Sequence, residues 1–415
     1  KTTYYDAAYF HEIYHPRTAW EHIRGIEPYE ISHPPLGKLI MGVGIRLFGM
    51  TPFGWRFMGT LFGVGMLPLL YVFLKNLFGR TSIATCGTVL LAADFMHLTQ
   101  TRLATIDTYA FFFILLMYYF MYRYLTLPAG APFRKCALPL FLSGLFWGIG
   151  AASKWTVIYG CTGLVVLYFI GLYQKLRDWP ADGETGARQP GRLKWAFQIL
   201  AFSVLVFALI PAAIYTLSYL PYAWAEGDSS LTGLVGAMWE NQRYMLSYHS
   251  GVTDTHPYSS RWYQWLFDIR PILYYMDNSV PGYTTRFAAF VNPVVCWGGL
   301  LAVLACAAQA VRRRCAKALF IVIGYLAPLV PWFFIGRITF AYHYFPSVLF
   351  LILALCYVFY SLSEQEELIA WKPAMYAITA GAAALYALFY PVLVGIQIPS
   401  WYGTCLLRWL PSWPF

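Results

Sequence analysis

The first 36 residues carry two carboxylates, Asp6 and Glu12, that can take a proton from an attacking alcohol. Such a reaction needs a proton acceptor close to the bond that forms, although solvated loop charges look the same in a sequence. His33 precedes two prolines, which predicts extended backbone before a helix, and it is a candidate for a sugar or acceptor pocket. Lys38 comes one turn into that helix, where it can bind a lipid phosphate or extend towards the interface.

A second group of ionisable residues begins at Asp94. This residue falls in an apolar stretch, where an ionised side chain costs at least about 2.5–3.5 kcal/mol. Asp94 therefore either belongs to an internal pair, with Arg102 or Lys154 as partner, or lines a pocket for sugar or acceptor. Arg102 and Asp107 lie in the short turn that follows. There we expect Asp107 to be catalytic and Arg102 to bind phosphate.

Two later segments place cations at the ends of apolar blocks. Lys154 lies at a tight junction between two such blocks, where it can reach a phosphate at the membrane surface or cap a helix. Arg270 follows Trp262 and Trp265 in the sequence WYQWLFDIR. This pattern predicts an interfacial helix with a surface on which a sugar can stack, although aromatic belts at bilayer surfaces have the same composition.

A last polar turn, GRITFAYHYFP, contains Arg337, Tyr342 and His343. Planar guanidinium groups bind phosphate through two parallel hydrogen bonds, so Arg102, Arg270 and Arg337 are candidates for a phosphate clamp. His343 is a further candidate phosphate ligand, and Tyr342 a candidate for the sugar or acceptor pocket.

These residues have to be positioned by membrane-spanning elements. Of the 415 residues, 59% are hydrophobic and 12% are charged, against roughly 45–50% and about 25% in soluble domains. The apolar residues form blocks long enough for helices to cross a hydrocarbon layer of about 30 Å. The predicted fold is all-α, a polytopic transmembrane helical bundle. Its ten spans are predicted at 53–73, 83–98, 107–126, 137–153, 155–172, 196–218, 286–308, 317–335, 344–362 and 373–393.

Lysine and arginine are concentrated in alternate loops, and positive charge near a span keeps a loop in the cytoplasm. The loop near 173–194 is therefore predicted to be cytoplasmic. Since ten spans would start and end outside, we expect one further span before residue 1. The predicted regions are a first outer loop with interfacial helices and the catalytic motif at 1–52, transmembrane helices at 53–218, an outer loop with interfacial helices at 219–285, transmembrane helices at 286–393 and an outer tail at 394–415.

The net charge of +10 does not indicate a nucleic-acid-binding protein. Much of it is the cytoplasmic excess, which suits contact with anionic membrane lipids. All eight histidines fall at or near the predicted outer face, which fits a polar site there. The eight cysteines show neither a disulfide framework nor zinc spacing, so we expect no metal and no cofactor.

Taken together, these segments resemble the protein O-mannosyltransferase family, a branch of the GT-C membrane glycosyltransferases that use polyprenyl-phosphate sugars. The resemblance covers most of the chain and is carried by HPPLGKL, PFGWR, DFMHLTQTRLATID, ASKW, WYQWLFDIRPILYY and RITFAYHYFP. It implies eleven spans, a polyprenyl-phosphate-linked mannose donor and a Ser or Thr hydroxyl on an exported acceptor protein. It also implies displacement at the anomeric carbon with inversion, at a site facing outward from the cell membrane.

The family places an Asp-Glu pair in its first outer loop, with the Asp as base, and this chain departs from that pattern. Counting back from His33 puts His11 and Glu12 at the pair, so that the Asp is replaced by His. The aromatic context YYDAAYF instead puts Asp6 at the acid, with Ala7 after it. We prefer Asp6 as the base with Glu12 assisting, and the choice between Asp6 and the His11-Glu12 pair stays open.

Arg102 and Asp107 match the second motif of the family. Eukaryotic members carry a large β-rich outer domain, for which residues 219–285 are too few, so the chain resembles the short bacterial type. Two other functions remain open. One is a transferase of the same fold that moves another sugar or aminosugar to a lipid or a cell-wall glycan. The other, a transporter of lipid-linked sugars, is less favoured because the sequence shows no repeat and its polar groups cluster at one face.

Overall fold

A computed structural model describes residues 8–180, 191–365 and 370–415, and most of this part of the chain is helical. The α-helices are α1 His15–Arg24, α2 Leu36–Phe48, α3 Pro52–Phe78, α4 Thr81–Ala92, α5 Phe95–Arg102, α6 Asp107–Leu125, α7 Phe133–Ser153, α8 Thr156–Arg177, α9 Arg192–Val204, α10 Ile210–Leu217, α11 Leu220–Ala225, α12 Leu231–Gly251, α13 Trp262–Trp265, α14 Gly299–Arg312, α15 Ala316–Leu329, α16 Phe345–Ser363 and α17 Trp371–Val394. Short 3₁₀ helices cover Phe10–Ile13, Val330–Phe334 and Ala341–Tyr344, and π-helical turns cover Leu205–Leu209, Val294–Gly298 and Tyr402–Leu407.

Several helices are long and apolar enough to cross a membrane. The described residues contain eight such segments, Pro52–Phe78, Phe133–Ser153, Thr156–Arg177, Arg192–Ala225, Val294–Arg312, Ala316–Phe334, Ala341–Ser363 and Trp371–Val394. Helices α4 and α5, which meet at an angle of 57°, form a ninth candidate if they are one broken span. The predicted polytopic bundle is confirmed. The remaining predicted span, 107–126, coincides with α6, whose five tyrosines lower its hydropathy, so the number of spans stays a prediction.

Helix α6 lies at the centre of the bundle, where it contacts α3, α7, α8 and α16. Two hydrogen bonds tie it to its neighbours: the Tyr118 hydroxyl donates to Gly160 O at 2.7 Å, and the Ser143 hydroxyl donates to Met117 O at 2.8 Å. Internal partners of this kind are required where water is scarce. This packing places Asp107, the first residue of α6, at the end of the helix that lies nearest to the outer segments.

A small antiparallel sheet corrects two expectations. Strands β1 Ile272–Asp277, β2 Tyr283–Ala289 and β3 Gln397–Pro399 lie in the order β1-β2-β3. The end of the 219–285 loop is thus extended rather than helical, and the span predicted at 286–308 begins only at Val294. Both long strands are rich in β-branched and aromatic residues, which favour sheets. Strand β2 also pairs with β3 in the C-terminal tail, and no local sequence pattern predicts this pairing.

The outer segments of the chain are joined to one another by hydrogen bonds and ring contacts. Tyr9 packs edge-on against Tyr275 of β1 and Phe287 of β2, with ring centroids 5.5 and 5.9 Å apart. The Asn241 amide of α12 donates to Ile31 O at 2.9 Å. The first outer loop is therefore held between the sheet and α12, and a cavity lies below it.

Candidate active site

A cavity of about 710 Å³ lies between the first outer loop, the α7–α8 junction, the end of α12 and the turn before α16. Its volume is in the range of small-molecule pockets. It brings together five of the residues that the sequence predicted for the site, His33, Lys154, Arg337, Tyr342 and His343. They come from three separate segments, and this convergence makes the cavity the candidate active site.

Four histidines form a continuous row along the cavity. The rings of His11 and His15 stack almost in parallel, 5.0 Å apart, His15 lies 6.0 Å from His33, and His33 lies 5.5 Å from His249. Desolvation lowers the pKa of His11 to about 4 and lowers that of the other three as well. The row is therefore neutral at pH 7. Among the described residues, no group of three or more His, Cys, Asp or Glu is arranged to hold a metal ion.

Lys154 lies in the wall of the cavity and forms a buried ion pair with Asp107. Its Nζ is 2.5 Å from Asp107 Oδ1, and both side chains are about 5% exposed. Asp107 Oδ2 is buried and has no hydrogen-bond partner in the described part of the chain. Lys154 Nζ also lies 5.6 Å from the ring centroid of Tyr342. Asp107 does not line the cavity and is joined to its wall by this ion pair.

Arg337 lines this cavity and a second one of about 590 Å³. The only hydrogen bond found for its guanidinium within the described residues goes to Ile338 O, at 3.2 Å. Lys154, His33, His249 and His343 also line both cavities. The second cavity has an aromatic and apolar wall formed by Trp155, Tyr159, Trp332, Phe334 and Ile335. A polar chamber and an apolar groove thus meet at Lys154 and Arg337.

Lys38 does not reach the cavity, which corrects its assignment as a phosphate ligand. It is fully buried, and its Nζ donates to the Glu30 carboxylate and to Glu30 O, both at 2.7 Å, and to His33 O at 3.1 Å. Desolvation acts to raise the pKa of Glu30, but Lys38 holds it well below its usual range. This ion pair fixes the turn that carries His33.

The carboxylate of Glu12 is also engaged by other residues of the protein. Arg56 of α3 binds both of its carboxylate oxygens, at 2.8 and 2.6 Å, and the backbone N–H of Ala104 donates to Oε1 at 2.8 Å. Glu12 is 3% exposed, so it anchors the first outer loop to α3 and α5–α6. Asp6, the preferred base, lies outside the described residues.

Within the described residues Asp94 forms no ion pair, and it does not line the cavity, contrary to both expectations. It is fully buried and caps α5, accepting hydrogen bonds from the backbone N–H of His97 and of Asn292, each at 2.9 Å. These bonds hold the bend between α4 and α5 against the start of the Val294–Arg312 span. Hydrogen bonds from backbone N–H groups thus offset the free-energy cost of burying the carboxyl group.

Two of the three arginines predicted for the clamp lie elsewhere. Arg102 lines a separate cavity of about 430 Å³ together with His97, and its guanidinium lies 5.9 Å from the Phe287 ring centroid. Arg270 donates a hydrogen bond to Pro257 O on the surface. Of the three arginines only Arg337 lines the candidate active site, and phosphate binding by Arg102 and Arg270 stays a prediction.

The two predicted tryptophans support the site without lining it. Trp265 stacks on the cavity residue His343 with ring centroids 5.9 Å apart, and its indole N–H donates to Ser260 Oγ at 2.9 Å. Trp262 stacks on Phe333, 3.8 Å away. A sugar-stacking surface at these positions is therefore corrected to a packing role, because protein rings already cover their faces.

Several cavity residues were not singled out by the sequence. Glu30, His15, His249 and His256 line the cavity, and Asp254 lies exposed at its rim. The concentration of histidines on the outer face was a signal for three of them. No local pattern showed which histidines would meet, because His33 and His249 are brought together only by α12.

Comparisons with known proteins agree with this architecture. Residues 48–225 match the family described as dolichyl-phosphate-mannose-protein mannosyltransferase, and residues 234–413 match the C-terminal four-transmembrane region of protein O-mannosyltransferase. A polyprenol-phosphate-mannose–protein mannosyltransferase of Mycolicibacterium smegmatis (strain MKD8) is 26% identical over 97% of this chain and 87% of its own length. The enzyme of that name from Corynebacterium glutamicum is 24% identical over 97% of this chain and 88% of its own.

Solved structures show the same fold. The S. cerevisiae protein O-mannosyltransferase Pmt1–Pmt2 complex bound to the sugar donor superimposes with a TM-score of 0.84 at 14% identity, over 99% of this chain and 90% of the yeast chain. ArnT from Cupriavidus metallidurans in the apo state gives a TM-score of 0.54 at 16% identity, over 92% of this chain and 66% of its own. The bundle is thus of the GT-C type.

Proposed function

The chain belongs to the protein O-mannosyltransferase family, and from this we propose that it moves mannose from a polyprenyl-phosphate-mannose donor to Ser or Thr hydroxyls of exported proteins, with inversion at the anomeric carbon. The observation that carries the proposal is the meeting of a polar chamber and an aromatic groove at Lys154 and Arg337. The donor consists of a sugar, a phosphate and a long apolar tail. These parts suit the polar chamber, the cations at the junction and the aromatic groove, in that order.

The donor phosphate binds at the junction, where Lys154, Arg337 and His343 line both cavities. The mannose occupies the polar chamber beside His33 and Tyr342, and the polyprenyl chain follows the aromatic wall of the groove. As the bond between the anomeric carbon and the phosphate oxygen breaks, negative charge grows on the phosphate. Cations already in place stabilise that charge, and this electrostatic contribution is usually the largest in catalysis.

Asp107 and Glu12 act on the reaction through other residues and do not contact the reacting atoms. Asp107 holds the Lys154 ammonium at 2.5 Å and so orients it towards the junction. Glu12 holds the first outer loop against α3 through Arg56. Both carboxylates are needed for the geometry of the site, and neither lines the cavity.

The test is transfer by the purified protein in lipid nanodiscs. With radiolabelled polyprenyl-phosphate-mannose and a Ser- and Thr-containing peptide, label enters the peptide, and the product has the anomeric configuration opposite to that of the donor. Label that enters only lipid or glycan contradicts a protein acceptor. Donor that crosses the bilayer without any transfer indicates a transporter.

Arg337→Gln tests the phosphate site. We expect the donor KM to rise about 10- to 100-fold, because a hydrogen bond to a charged group is worth about 1.5–3 kcal/mol. Arg270→Gln is the matched control: Arg270 bonds to Pro257 O outside the cavity, so its donor KM stays at the wild-type value. Equal KM values for the two variants contradict the phosphate site.

We also propose that the active site faces outward from the cell membrane. The distribution of Lys and Arg supports this orientation, and two cysteines allow it to be tested. Cys405, in the tail, is exposed, and Cys315 lies in the loop after the Arg312–Arg314 run. A membrane-impermeant maleimide is expected to label Cys405 in intact cells and Cys315 only after lysis. A Cys405→Ser variant is the control, and the reverse labelling pattern contradicts the orientation.

A further inference from the structure

A separate cavity, of about 540 Å³, lies between α1, α2 and the turn that joins α10 to α11. None of the described residues that line it lines the candidate active site or the apolar groove. Helix α2 leads into the α3 span, and α10 and α11 end the Arg192–Ala225 segment. Lys75 and Arg192, at the other ends of these two segments, belong to the loops predicted to be cytoplasmic. The cavity therefore lies at the predicted outer surface of the membrane.

Two arginines give this cavity a positive charge. Arg24 lies in the last turn of α1 and Arg46 in the last turn of α2, and both line the cavity. Within the part of the chain that the structure describes, neither guanidinium forms an ion pair or a hydrogen bond, and Arg24 lies 5.4 Å from the Trp20 ring centroid. None of the described lining residues is acidic. An anion in the cavity thus meets two guanidinium groups that no lining carboxylate neutralises.

The buried side chain of His22 also lines the cavity. Neither of its ring nitrogens has a hydrogen-bond partner among the described residues. The Tyr222 ring lies 5.3 Å away, but its buried hydroxyl is also without a partner there. A buried polar group without a partner is destabilising, so the site favours a bound group that reaches His22.

The imidazole of His22 can donate a hydrogen bond to an anion. Desolvation lowers its pKa to about 3, while Lys38 acts in the same direction and Glu30 in the opposite one. At pH 7 the ring is therefore neutral and carries one N–H. A phosphate oxygen accepts hydrogen bonds from such a group and from planar guanidinium groups.

The opposite wall of the cavity is apolar. Val43, Leu217 and Trp224 line it, and all three side chains are exposed. Tryptophan is typical of the interface between a membrane and water, and exposed apolar side chains beside a span can contact acyl chains. A free phosphate ion would leave this wall without a partner. A phospholipid brings its phosphate to the arginines and its acyl chains to the wall.

We propose that this cavity binds an anionic phospholipid on the outer side of the membrane, at a site separate from that of the sugar donor. The lipid phosphate binds Arg24 and Arg46 and accepts a hydrogen bond from His22, and the acyl chains lie against Leu217 and Trp224. A lipid held in this way joins α1 and α2 to the end of the Arg192–Ala225 segment. It therefore stabilises the first outer loop, whichever sugar the protein transfers.

Native mass spectrometry of the purified protein in detergent, titrated with phosphatidylglycerol, tests the site. Arg24→Gln/Arg46→Gln is expected to weaken one binding step about 30-fold, because each arginine contributes about fivefold to the binding of an anionic lipid. Any lipid that binds in the donor groove keeps its affinity. Both side chains are exposed, so the variant is expected to fold.

The matched control is Arg243→Gln/Arg270→Gln, which removes two exposed arginines of the outer segments that do not line the cavity. Its lipid Kd is expected to stay within twofold of the wild-type value. An equal loss of affinity in the two double variants would show that surface charge alone attracts the lipid, and the proposal would be wrong.

His22→Phe removes both ring nitrogens and keeps an aromatic ring beside Tyr222. It is expected to weaken the same binding step about 10- to 100-fold, the usual effect of losing a hydrogen bond to a charged group. An unchanged lipid affinity would mean that His22 does not contact the ligand, which contradicts the site as proposed.

Thermal unfolding in nanodiscs gives a second measurement. Replacement of phosphatidylcholine by phosphatidylglycerol is expected to raise the Tm of the wild type and of Arg243→Gln/Arg270→Gln more than that of Arg24→Gln/Arg46→Gln. Added inorganic phosphate is expected to leave the lipid bound, since it cannot contact the apolar wall. Displacement of the lipid by inorganic phosphate would assign the site to a free anion and overturn the inference. None of these measurements requires mannose transfer, so their outcome is independent of the proposed function.

Discussion

Replacement of Lys154 by methionine removes one half of a buried ion pair and also the ammonium at the junction of the two cavities. The pair is 2.5 Å long and about 5% exposed on each side. Breaking a buried pair from one side costs about 3–5 kcal/mol of stability, because the remaining charge is left without compensation. Lys154→Met is therefore expected to lower the free energy of unfolding by about this amount, reduced to the extent that Asp107 takes up a proton.

The same change affects the reaction. Loss of one preorganised charge-stabilising group typically lowers kcat about 10²- to 10³-fold, and we expect this range for Lys154→Met. If Asp107 acts only by orienting Lys154, the double variant Asp107→Asn/Lys154→Met loses no more kcat than Lys154→Met alone. Its stability, however, is expected to recover, because no unpaired buried charge is left.

A double-mutant cycle measures both effects, with mannose transfer to peptide and thermal unfolding followed in nanodiscs. Lys175→Met is the matched control: Lys175 is another buried lysine, which donates to Leu125 O and Leu127 O far from the cavity. It is expected to lose stability while the folded fraction keeps its kcat. Losses of kcat that add in the double variant would refute the argument, because Asp107 would then act independently of Lys154.

Three further predictions concern stability. Lys38→Met is expected to cost about 3–5 kcal/mol, since it leaves the buried Glu30 carboxylate without its partner; an unchanged Tm contradicts this. Glu12→Gln is expected to lower Tm with little change in kcat per folded molecule, and an equal loss in both would make Glu12 catalytic. Desolvation lowers the folded-state pKa of His15 and His33, so the unfolded chain binds more protons below pH ~6.5. Stability that is complete above that pH is therefore expected to fall by up to about 1.4 kcal/mol per pH unit and histidine as the pH drops, and equal unfolding midpoints at pH 7 and pH 5 contradict this.

The sequence predicted the helical bundle. It also predicted those cavity residues that lie in short turns, because a short turn leaves few places where its side chains can lie. Lys154 lies in a junction between two spans, and Arg337, Tyr342 and His343 lie in one turn before α16. A turn of that length can only be at the membrane surface. The prediction that these turns lie on the same side of the membrane was therefore enough to predict that their polar residues belong to one site.

Which cation is available to a ligand could not be predicted in this way. Lys38 looks like Lys154 in the sequence, but it is bound by Glu30, eight residues earlier, in a turn whose path depends on two prolines. Arg56 was not a candidate at all, yet it holds Glu12 from 44 residues away. The third strand of the sheet comes from the tail for a similar reason. Each of these pairings is set by tertiary packing, and no local pattern encodes it.

The ion pairs also determine the charge of the chamber, and this leads to a prediction about His11, which lines it. Lys154 is neutralised by Asp107, and Glu30 by Lys38, so among the described lining residues inside the rim Arg337 supplies the net positive charge for the donor phosphate. The imidazole of His11 is neutral at pH 7, because desolvation lowers its pKa to about 4, and it does not oppose this attraction when the donor binds.

His11→Asp opposes this attraction, because a carboxylate is already negative when the donor enters. For unit charges ~8 Å apart at an effective dielectric constant of ~20, the repulsion is about 2 kcal/mol, or about 30-fold in donor affinity. His11→Asp is therefore expected to raise the donor KM by about that factor. This increase should become smaller at high salt to the extent that the chamber is open to solvent. A donor KM equal to that of the wild type would show that the charge of residue 11 does not act on the donor phosphate, and the phosphate would then have to bind farther from His11 than the cavity geometry implies.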